Sequence, residues 1–301
     1  MMVSTRGSVL RLIAWQWRGV VLFASCAVAI ALLHFYVWPN AKIPQLPLGI
    51  VGGALGIFVS FRTNSSYARW WEGRQLWGRL VNASRTFSSQ ALAYLPQDGE
   101  GRELAIAMVR RHVGYVHALR AALRQEDVLA DADVVRTMPE AERRALAKES
   151  NVNHAICHEN VEAVGLAVRR GWIDTNQLLA LDETLRAFLD VQGGCERIKK
   201  TPLPRGYAFI AERLVWAFGA LFPLATVHEL GWYVVPVNVI VCLAFSLISE
   251  AGRVLEDPFT LFWNGLPLMA LSRTIEVNLR QRLGDTDLPP IPGPDASGVL
   301  M

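Results

Sequence analysis

The chain has 301 residues, 52% of them apolar, and its mean hydropathy is positive. This composition is too apolar for a purely soluble protein of one or two domains, so part of the chain is expected to lie in lipid. The 30 basic and 27 acidic residues leave a formal charge of only +3. Such a balance excludes the strong positive field of a nucleic-acid-binding protein.

Four apolar segments have the length expected of transmembrane helices. The first runs from Gly19 to Trp38 without a formal charge, and about 20 helical residues span a bilayer core of about 30 Å. The second begins at about Leu46, and the third and fourth cover about 207–224 and 232–248. Aromatic residues followed by Pro39 close the first segment, which favours a retained helix over a cleaved signal peptide.

A long charged region separates the second and third spans, and it has the periodicity of amphipathic helices. The proline-rich end of the chain predicts an extended or disordered tail. The predicted fold class is therefore all-α: an integral membrane protein with four transmembrane helices and a helical cytosolic body. The predicted parts are 1–62 (N-terminal segment and spans one and two), 63–205 (cytosolic domain), 206–252 (spans three and four) and 253–301 (C-terminal helix and tail).

Basic residues that flank the spans predict the orientation of the chain. Three arginines precede the first span and four follow the second, whereas the link between these spans has only Lys42. By the positive-inside tendency, both flanks face the cytoplasm. We therefore predict a multi-pass protein of the cell inner membrane with both termini cytoplasmic and with PNAKIPQ and TVHELGW as short outer loops.

The second span, LPLGIVGGALGIFVS, is rich in glycine and runs without a break into FRTNSSYARWWEG. Each glycine costs about 1 kcal/mol of helix propensity relative to alanine, so the glycines need a compensating role. Gly52 and Gly56 have the spacing with which membrane helices pack closely together.

One side of this helix changes character along its length. Gly53, Ile57, Phe61 and Ser65 follow one another at four-residue intervals and therefore lie on one side of the helix. This side begins with a small residue, continues with two large apolar residues and ends with a polar one. Such a face suits a water-filled path with an apolar constriction that gates by dewetting. Four helices of one chain cannot easily enclose such a path, whereas several copies in a ring can.

Polar and aromatic residues beyond this face have two readings each. Arg69, Trp70 and Trp71 are predicted to anchor the helix at the lipid headgroups, with cation-π contacts between helices as the alternative. Arg62 is the one formal charge between Gly49 and Ser66. It favours anions if it faces a pore, and it is equally expected to point to lipid headgroups.

Several motifs together resemble the bestrophin family in its bacterial branch. They are FRTNSSYARWWEGRQLWG, GGCERIKKTPLP, LEDPF, LPL and RTIE, and they follow one another over nearly the whole chain. The resemblance implies an all-helical pentameric ion channel in which the second helix of each subunit lines a narrow neck above a cytosolic vestibule. Family members are best known as chloride or other anion channels, although some bacterial relatives conduct cations.

The same resemblance assigns two constrictions. The pore neck falls on Gly53, Ile57 and Phe61, with glycine in place of a residue that is usually larger. The cytosolic aperture falls on Asn176, with Ile173 one helical turn earlier, so the exit ring is expected to be polar. The resemblance implies as partners other copies of the chain, the lipid bilayer and small inorganic ions, but no nucleic acid.

No metal or other cofactor is predicted. His154, Cys157 and His158 lack the second ligand group of a structural zinc site. Animal bestrophins hold calcium in an acidic segment after the EDPF motif. Here no carboxylate lies between Asp257 and Glu276, so too few oxygen ligands remain for calcium. The function of Phe262 and Trp263 in that segment is left open.

The sequence has three alternatives to an anion channel. A cation channel for sodium or potassium has the same architecture. A membrane-embedded enzyme would need His34, His228 with Glu229, and the 154–158 cluster to converge, yet they lie on different sides of the predicted membrane. A scaffold or sensor would use the amphipathic helices of 102–190, although a core of their own explains that pattern.

Overall fold

The computed structural model describes residues 15–39, 47–295 and 298–300, so the predicted start of the second span at Leu46 lies outside the described residues. Within these ranges the chain is helical and has no β-strand. The α-helices are α1 (Trp17–Leu32), α2 (Leu48–Tyr94), α3 (Gly99–Leu123), α4 (Ala132–Thr137), α5 (Glu140–Leu146), α6 (Val152–Arg169), α7 (Thr175–Lys200), α8 (Arg205–Leu230), α9 (Val234–Leu255) and α10 (Leu268–Leu283). A π-helical turn, Leu33–Val37, extends α1.

The chain divides into two compact units. The apolar unit contains the described residues up to Trp70 and Pro202–Asp257, and therefore α1, the first part of α2, α8 and α9. The helical body contains Trp71–Thr201 and the described residues from Pro258 onward. These divisions fall a few residues away from the predicted boundaries at 62, 205 and 252, and the assignment of the units to membrane and cytosol stays a prediction.

Two of the described segments are long and apolar enough to cross a membrane, namely Trp17–Val37 and Phe209–Leu255. The second contains most of α8 and all of α9, so together they cover three of the four predicted spans. The first part of α2 is less apolar because its glycines and the polar residues from Arg62 onward lower its hydropathy. The first part of α2 is therefore better suited to a membrane if other helices cover its polar side than if lipid surrounds it.

The predicted outer loop TVHELGW is wrong in its length. Helix α8 continues to Leu230, and only Gly231 and a 3-10 turn through Tyr233 separate it from α9. Gly231 has a φ of +56°, a backbone conformation that glycine alone adopts at little cost. A single glycine therefore reverses the chain where the sequence indicated a seven-residue loop.

Apolar side chains from all four helices form the core of the apolar unit. Phe23 of α1, Leu55 and Val59 of α2, Phe218 of α8 and Cys242 of α9 are buried in one cluster. A β-carbon on Gly219 of α8 would lie 2.7 Å from the ring of Phe23, so the backbone of α8 approaches α1 closely.

A buried asparagine compensates for a proline in this core. Pro223 lies inside α8 and has no N–H to donate to the carbonyl of Gly219, four residues earlier. Asn238 of α9 is fully buried, and its Nδ2 donates to the Gly219 oxygen at 3.2 Å and to the Phe23 oxygen at 3.1 Å. An unpaired carbonyl is costly in an apolar surrounding, so Asn238 stabilises α8 at Pro223 and links three helices.

The helical body has an aromatic core. Trp77 and Phe87 of α2, His112 and Tyr115 of α3, and Phe188 of α7 are all buried. The His112 ring stacks on the Phe188 ring with centroids 4.1 Å apart, and its Nε2 lies 2.8 Å from the Ser84 hydroxyl. Burial lowers the pKa of His112 to about 3, so this histidine stays neutral in the folded protein.

A buried ionic network joins α3, α4 and α10. Glu276 of the RTIE motif is fully buried and accepts hydrogen bonds from His117 at 2.9 Å, Arg136 at 2.6 Å and Arg273 at 2.7 Å. Burial alone would raise the pKa of Glu276, but these bonds outweigh it and hold the pKa well below its usual range. Asp133 accepts from Arg136 and Arg273 as well.

Because Asn238 replaces the hydrogen bond that Pro223 removes, the two residues should be energetically coupled. Asn238→Leu is expected to cost about 1 kcal/mol or more of the free energy of unfolding in otherwise unchanged protein. In a Pro223→Ala background the cost should be smaller, since alanine can donate its own N–H to Gly219. Thermal or denaturant unfolding of the single and double variants in detergent measures these costs. An equal cost of Asn238→Leu in both backgrounds would contradict the coupling.

Candidate functional site

Helix α2 is unbroken from Leu48 to Tyr94, which confirms that the polar stretch after the apolar segment continues the same helix. No proline interrupts these residues. Hydroxyl side chains here bond back to the helix, since Thr63 Oγ1 donates to the Val59 oxygen and Ser65 Oγ to the Phe61 oxygen, each at 3.0 Å. Thr63 and Ser65 thus satisfy their hydroxyls without ending the helix.

One face of α2 is open. Gly53, Gly56, Ile57, Ser60, Phe61 and Asn64 line a shallow groove of about 550 Å³ along it. Ile57 and Phe61 leave 62% and 69% of their surface exposed. The sequence placed Gly53, Ile57 and Phe61 on this face, but it missed Ser60 and Asn64, which three-residue spacing along the same helix would have found.

The glycines of α2 divide between two faces. A β-carbon on Gly52 would lie 3.3 Å from the Phe218 ring of α8, and one on Gly56 would lie 3.7 Å from the Phe245 ring of α9. Among the described residues, a β-carbon on Gly49 or Gly53 would have no neighbour within 4 Å. Gly52 therefore allows α2 and α8 to pack closely. Gly53 leaves the open face of α2 without a side chain at this position.

Arg62 lies on neither of the surfaces that its sequence position indicated. Its side chain is buried, and it donates to Ser249 Oγ of α9 at 3.0 Å and lies 4.0 Å from Glu256. Arg69 Nε donates to the backbone oxygen of the same Glu256 at 3.2 Å. Both arginines therefore fasten α2 to the end of α9, and Arg62 is no guide to ion selectivity.

The predicted headgroup anchor remains a prediction. Trp71 is 47% exposed, and the Trp70 ring stacks on the Tyr67 ring with centroids 6.1 Å apart. Tyr67 is itself half exposed. Aromatic surface therefore continues along α2 beyond the groove, while Arg69 is held by the end of α9 rather than extended toward solvent.

The two residues assigned to the cytosolic aperture differ in exposure. Asn176 is exposed in the first turn of α7. The N-cap of this helix is Asp174, whose carboxylate accepts from the backbone N–H of Gln177 at 2.8 Å. Ile173 is buried, with 7% of its surface exposed. Asn176 is therefore available to line an opening, whereas Ile173 packs within its own chain.

The histidine clusters noted in the sequence differ in structure. The rings of His34 and His228 lie 5.8 Å apart, so these two do meet within the apolar unit. On α6, Cys157 is buried, and burial raises the pKa of its thiol to about 11. Since zinc binds the thiolate, Cys157 is poorly suited to complete a site with His154 and His158.

A closer set of metal-type ligands is occupied by arginines. Ligand atoms of His117, Asp133 and Glu276 all lie within 4.8 Å of one another. The carboxylates of Asp133 and Glu276 already accept bonds from Arg136 and Arg273. Their negative charge is thus neutralised by guanidinium groups, which makes this an ionic network rather than a site suited to a cation.

The motifs that resemble a known family pack against one another. Glu72 of the first motif pairs with Arg197 of GGCER, and a β-carbon on Gly194 would lie 2.9 Å from Leu76. A β-carbon on Gly73 would lie 3.1 Å from Pro258, next to the phenylalanine of LEDPF. Gly73 of α2 and Gly194 of α7 therefore allow these motifs to pack closely, and the ion pair of Glu72 and Arg197 connects two of them.

The two faces of α2 predict opposite results for neighbouring glycines. Gly53→Ala should raise the free energy of unfolding by about 0.5–1 kcal/mol, because alanine favours the helix and its β-carbon would contact none of the described residues. Gly52→Ala should gain less or lose stability, because the Phe218 ring must move. Unfolding of both variants in the same detergent is the measurement, and equal gains would show that Gly52 is not closely packed.

Comparisons with known proteins identify the family of this chain. The family described as Bacterial/Fungal Bestrophin protein matches residues 1–281. A voltage-dependent anion channel-forming protein of Ralstonia nicotianae is 34% identical over 96% of this chain and 92% of its own length. One from Escherichia coli K12 is 32% identical over 91% of each chain.

Solved structures show the same fold. A bacterial bestrophin homolog from Klebsiella pneumoniae, 29% identical, superposes with a TM-score of 0.82 over 88% of this chain and 97% of its own. A single-substitution variant of that homolog gives a TM-score of 0.83 over 90% of this chain and 99% of its own. With the family matched over nearly its whole length, the chain belongs to the bacterial and fungal bestrophins.

Proposed function

We propose that this chain forms an ion channel in which the open face of α2 lines the pore. The observation that carries the proposal is the exposure of Ile57 and Phe61, two large apolar side chains on one helix face that also presents Ser60 and Asn64. A large exposed apolar surface indicates contact with lipid or with another protein copy. The polar residues on the same face favour a shared water-filled path over lipid.

Relatives with known names favour an anion as the permeant ion. The relatives from Ralstonia nicotianae and Escherichia coli are named voltage-dependent anion channel-forming proteins. Membership of the bestrophin family indicates a channel and not an enzyme. For this chain we propose passive conduction of chloride or similar small anions, with a sodium or potassium channel of the same architecture as the second candidate.

A ring of five copies is the proposed assembly. One α2 helix presents one open face and needs the same face of other copies to enclose a path, which a cyclic arrangement provides. The family resemblance supplies the number five. In such a ring, Ile57 and Phe61 form two successive apolar collars at which an ion must shed water, and the neck is wider at Gly53, which has no side chain.

The proposed placement in the membrane follows the same scheme. Segments Trp17–Val37 and Phe209–Leu255 supply three spans, and the start of α2 supplies a fourth that faces the pore. The basic flanks of the first two spans favour a bacterial inner-membrane protein with both termini and the helical body on the cytoplasmic side. Asn176 then forms a polar ring at the cytosolic exit.

The mass of the detergent-solubilised particle tests the assembly. Five chains of 33.4 kDa are expected in each particle, and liposomes containing that same particle should pass chloride. A monomer without flux would favour a scaffold or sensor. Reversal potentials in asymmetric KCl decide the ion: a shift toward the chloride equilibrium potential is expected, and a shift toward the potassium potential would select the cation channel.

Removing the proposed collars should widen the pore. In planar bilayers the double variant Ile57→Ala and Phe61→Ala is expected to raise unitary conductance severalfold, because the apolar barrier to a hydrated ion becomes wider. The matched control is Phe58→Ala, since Phe58 lies on the same helix but packs against the core of the apolar unit. Unchanged conductance in the double variant, or an equal rise in the control, would remove these residues from the pore.

A further inference from the structure

Two histidines from different helices meet at one end of the apolar unit. His34 lies in the π-helical turn that extends α1, and His228 lies in the last turn of α8. Their ring centroids are 5.8 Å apart, with an angle of 82° between the ring planes. His34 is half-buried and His228 is exposed, so the pair is open to the surface of the unit.

Packed side chains hold both histidines in place. Ala31, Val227 and Val234 form a buried cluster that joins α1, α8 and α9. Ala31 lies one helical turn before His34, and Val227 lies directly before His228. The two imidazoles therefore come together on a packed base, which is the support that a binding site requires.

The backbone at His34 has an unusual conformation. The N–H of Trp38 donates to the oxygen of Leu33, five residues earlier, at 2.9 Å, so the end of α1 is wound as a π-helix. Such turns are rare and occur often at functional sites. In the same turn the Phe35 ring stacks on the Trp232 ring with centroids 5.6 Å apart, which connects the turn to the segment that follows α8.

The nitrogens of the two rings have no partners within the described residues. The printed contacts of His34 and His228 are ring contacts, and neither side chain makes a hydrogen bond or an ion pair with those residues. Each imidazole has two nitrogens that can donate, accept or bind a metal. Ring packing alone leaves these nitrogens unused. Neutral imidazole is a ligand that zinc, copper and nickel all accept, so one such ion could use a nitrogen of each ring.

We propose that His34 and His228 bind one zinc ion through one nitrogen of each ring and thereby connect α1 to α8. In proteins, Zn–N bonds of about 2.0–2.1 Å put the centroids of two imidazoles on one tetrahedral ion about 5 Å apart. The separation of 5.8 Å reaches this value by a small rotation of the exposed His228 side chain. Water fills the remaining ligand positions, and the predicted topology puts this end of the unit on the outer side of the membrane.

The test starts from a variant without competing histidines. Of the six histidines in the chain, two are buried in the helical body. His154 and His158 are exposed on α6 and lie four residues apart, a spacing with which two histidines of one helix bind zinc. The full chain with His154→Ala and His158→Ala, here the background variant, therefore keeps His34 and His228 as its accessible histidines.

Zinc binding to the background variant in dodecyl maltoside is measured by titration calorimetry. We expect one zinc ion per chain with a Kd on the order of 10 µM, because only two side chains bind the ion. The Tm should rise with zinc concentration, since the ion binds the folded state. Adding His34→Ala or His228→Ala should weaken binding about tenfold or more and abolish the rise in Tm. Without zinc, both variants should melt close to the background variant, because neither imidazole has a hydrogen bond to lose.

Tyr36→Ala is the matched control, because Tyr36 lies in the same π-helical turn, is 76% exposed and should leave zinc binding unchanged. Lack of saturable binding, undiminished binding after either histidine substitution, or equal weakening by Tyr36→Ala would overturn the proposal. Calcium prefers oxygen ligands, so equal binding of calcium would overturn coordination by imidazole. Because the pair lies within one chain, these outcomes depend neither on ion conduction nor on the number of copies in the particle.

Discussion

The unbroken course of α2 is the constraint on which the other parts of the molecule depend. Leu48 to Tyr94 form one helix, whose first part packs in the apolar unit and whose second part packs in the helical body. Arg62 and Arg69 hold it to the end of α9, and Glu72 pairs with Arg197 of α7. Both sets of contacts are made by side chains of this one helix.

Side-chain size then determines what each face of α2 does. Gly52 faces Phe218 closely enough for the helices to touch, while Gly53 faces open space. Ile57 and Phe61 continue the open face with large apolar side chains that the described residues leave mostly exposed. In the proposed channel, the packed face of α2 stabilises the fold and the open face forms the barrier to an ion. Adjacent residues such as Gly52 and Gly53 therefore have different roles.

Much of this arrangement could be predicted from the sequence, because helical periodicity alone puts Gly53, Ile57 and Phe61 on one side. Partners from distant parts of the chain could not be predicted in the same way. Arg62 is buried where it donates to Ser249 of α9, and Asn238 of α9 donates to the Gly219 carbonyl that Pro223 leaves unpaired in α8. The end of α8 lies beyond its predicted position because Gly231 can reverse the chain without a longer loop.

Asn153 of α6 shows the same limit. Its local sequence does not distinguish it from a surface asparagine, yet only 4% of the residue is exposed in the folded chain. The place of Asn176 at a cytosolic exit follows from the family resemblance alone, and the structure leaves Asn176 exposed in the first turn of α7.

Accessibility of the open face to water is the most direct test of the central claim. Cysteines would be placed singly at Ile57 and Phe61, and at Phe58 as the packed control, in a Cys26→Ala background because the other three native cysteines are buried. A charged, water-soluble methanethiosulfonate reagent should modify the first two sites in membranes and block ion flux, and it should spare the third. Labelling of Ile57 and Phe61 sites by lipid-soluble reagents alone would contradict a pore at α2.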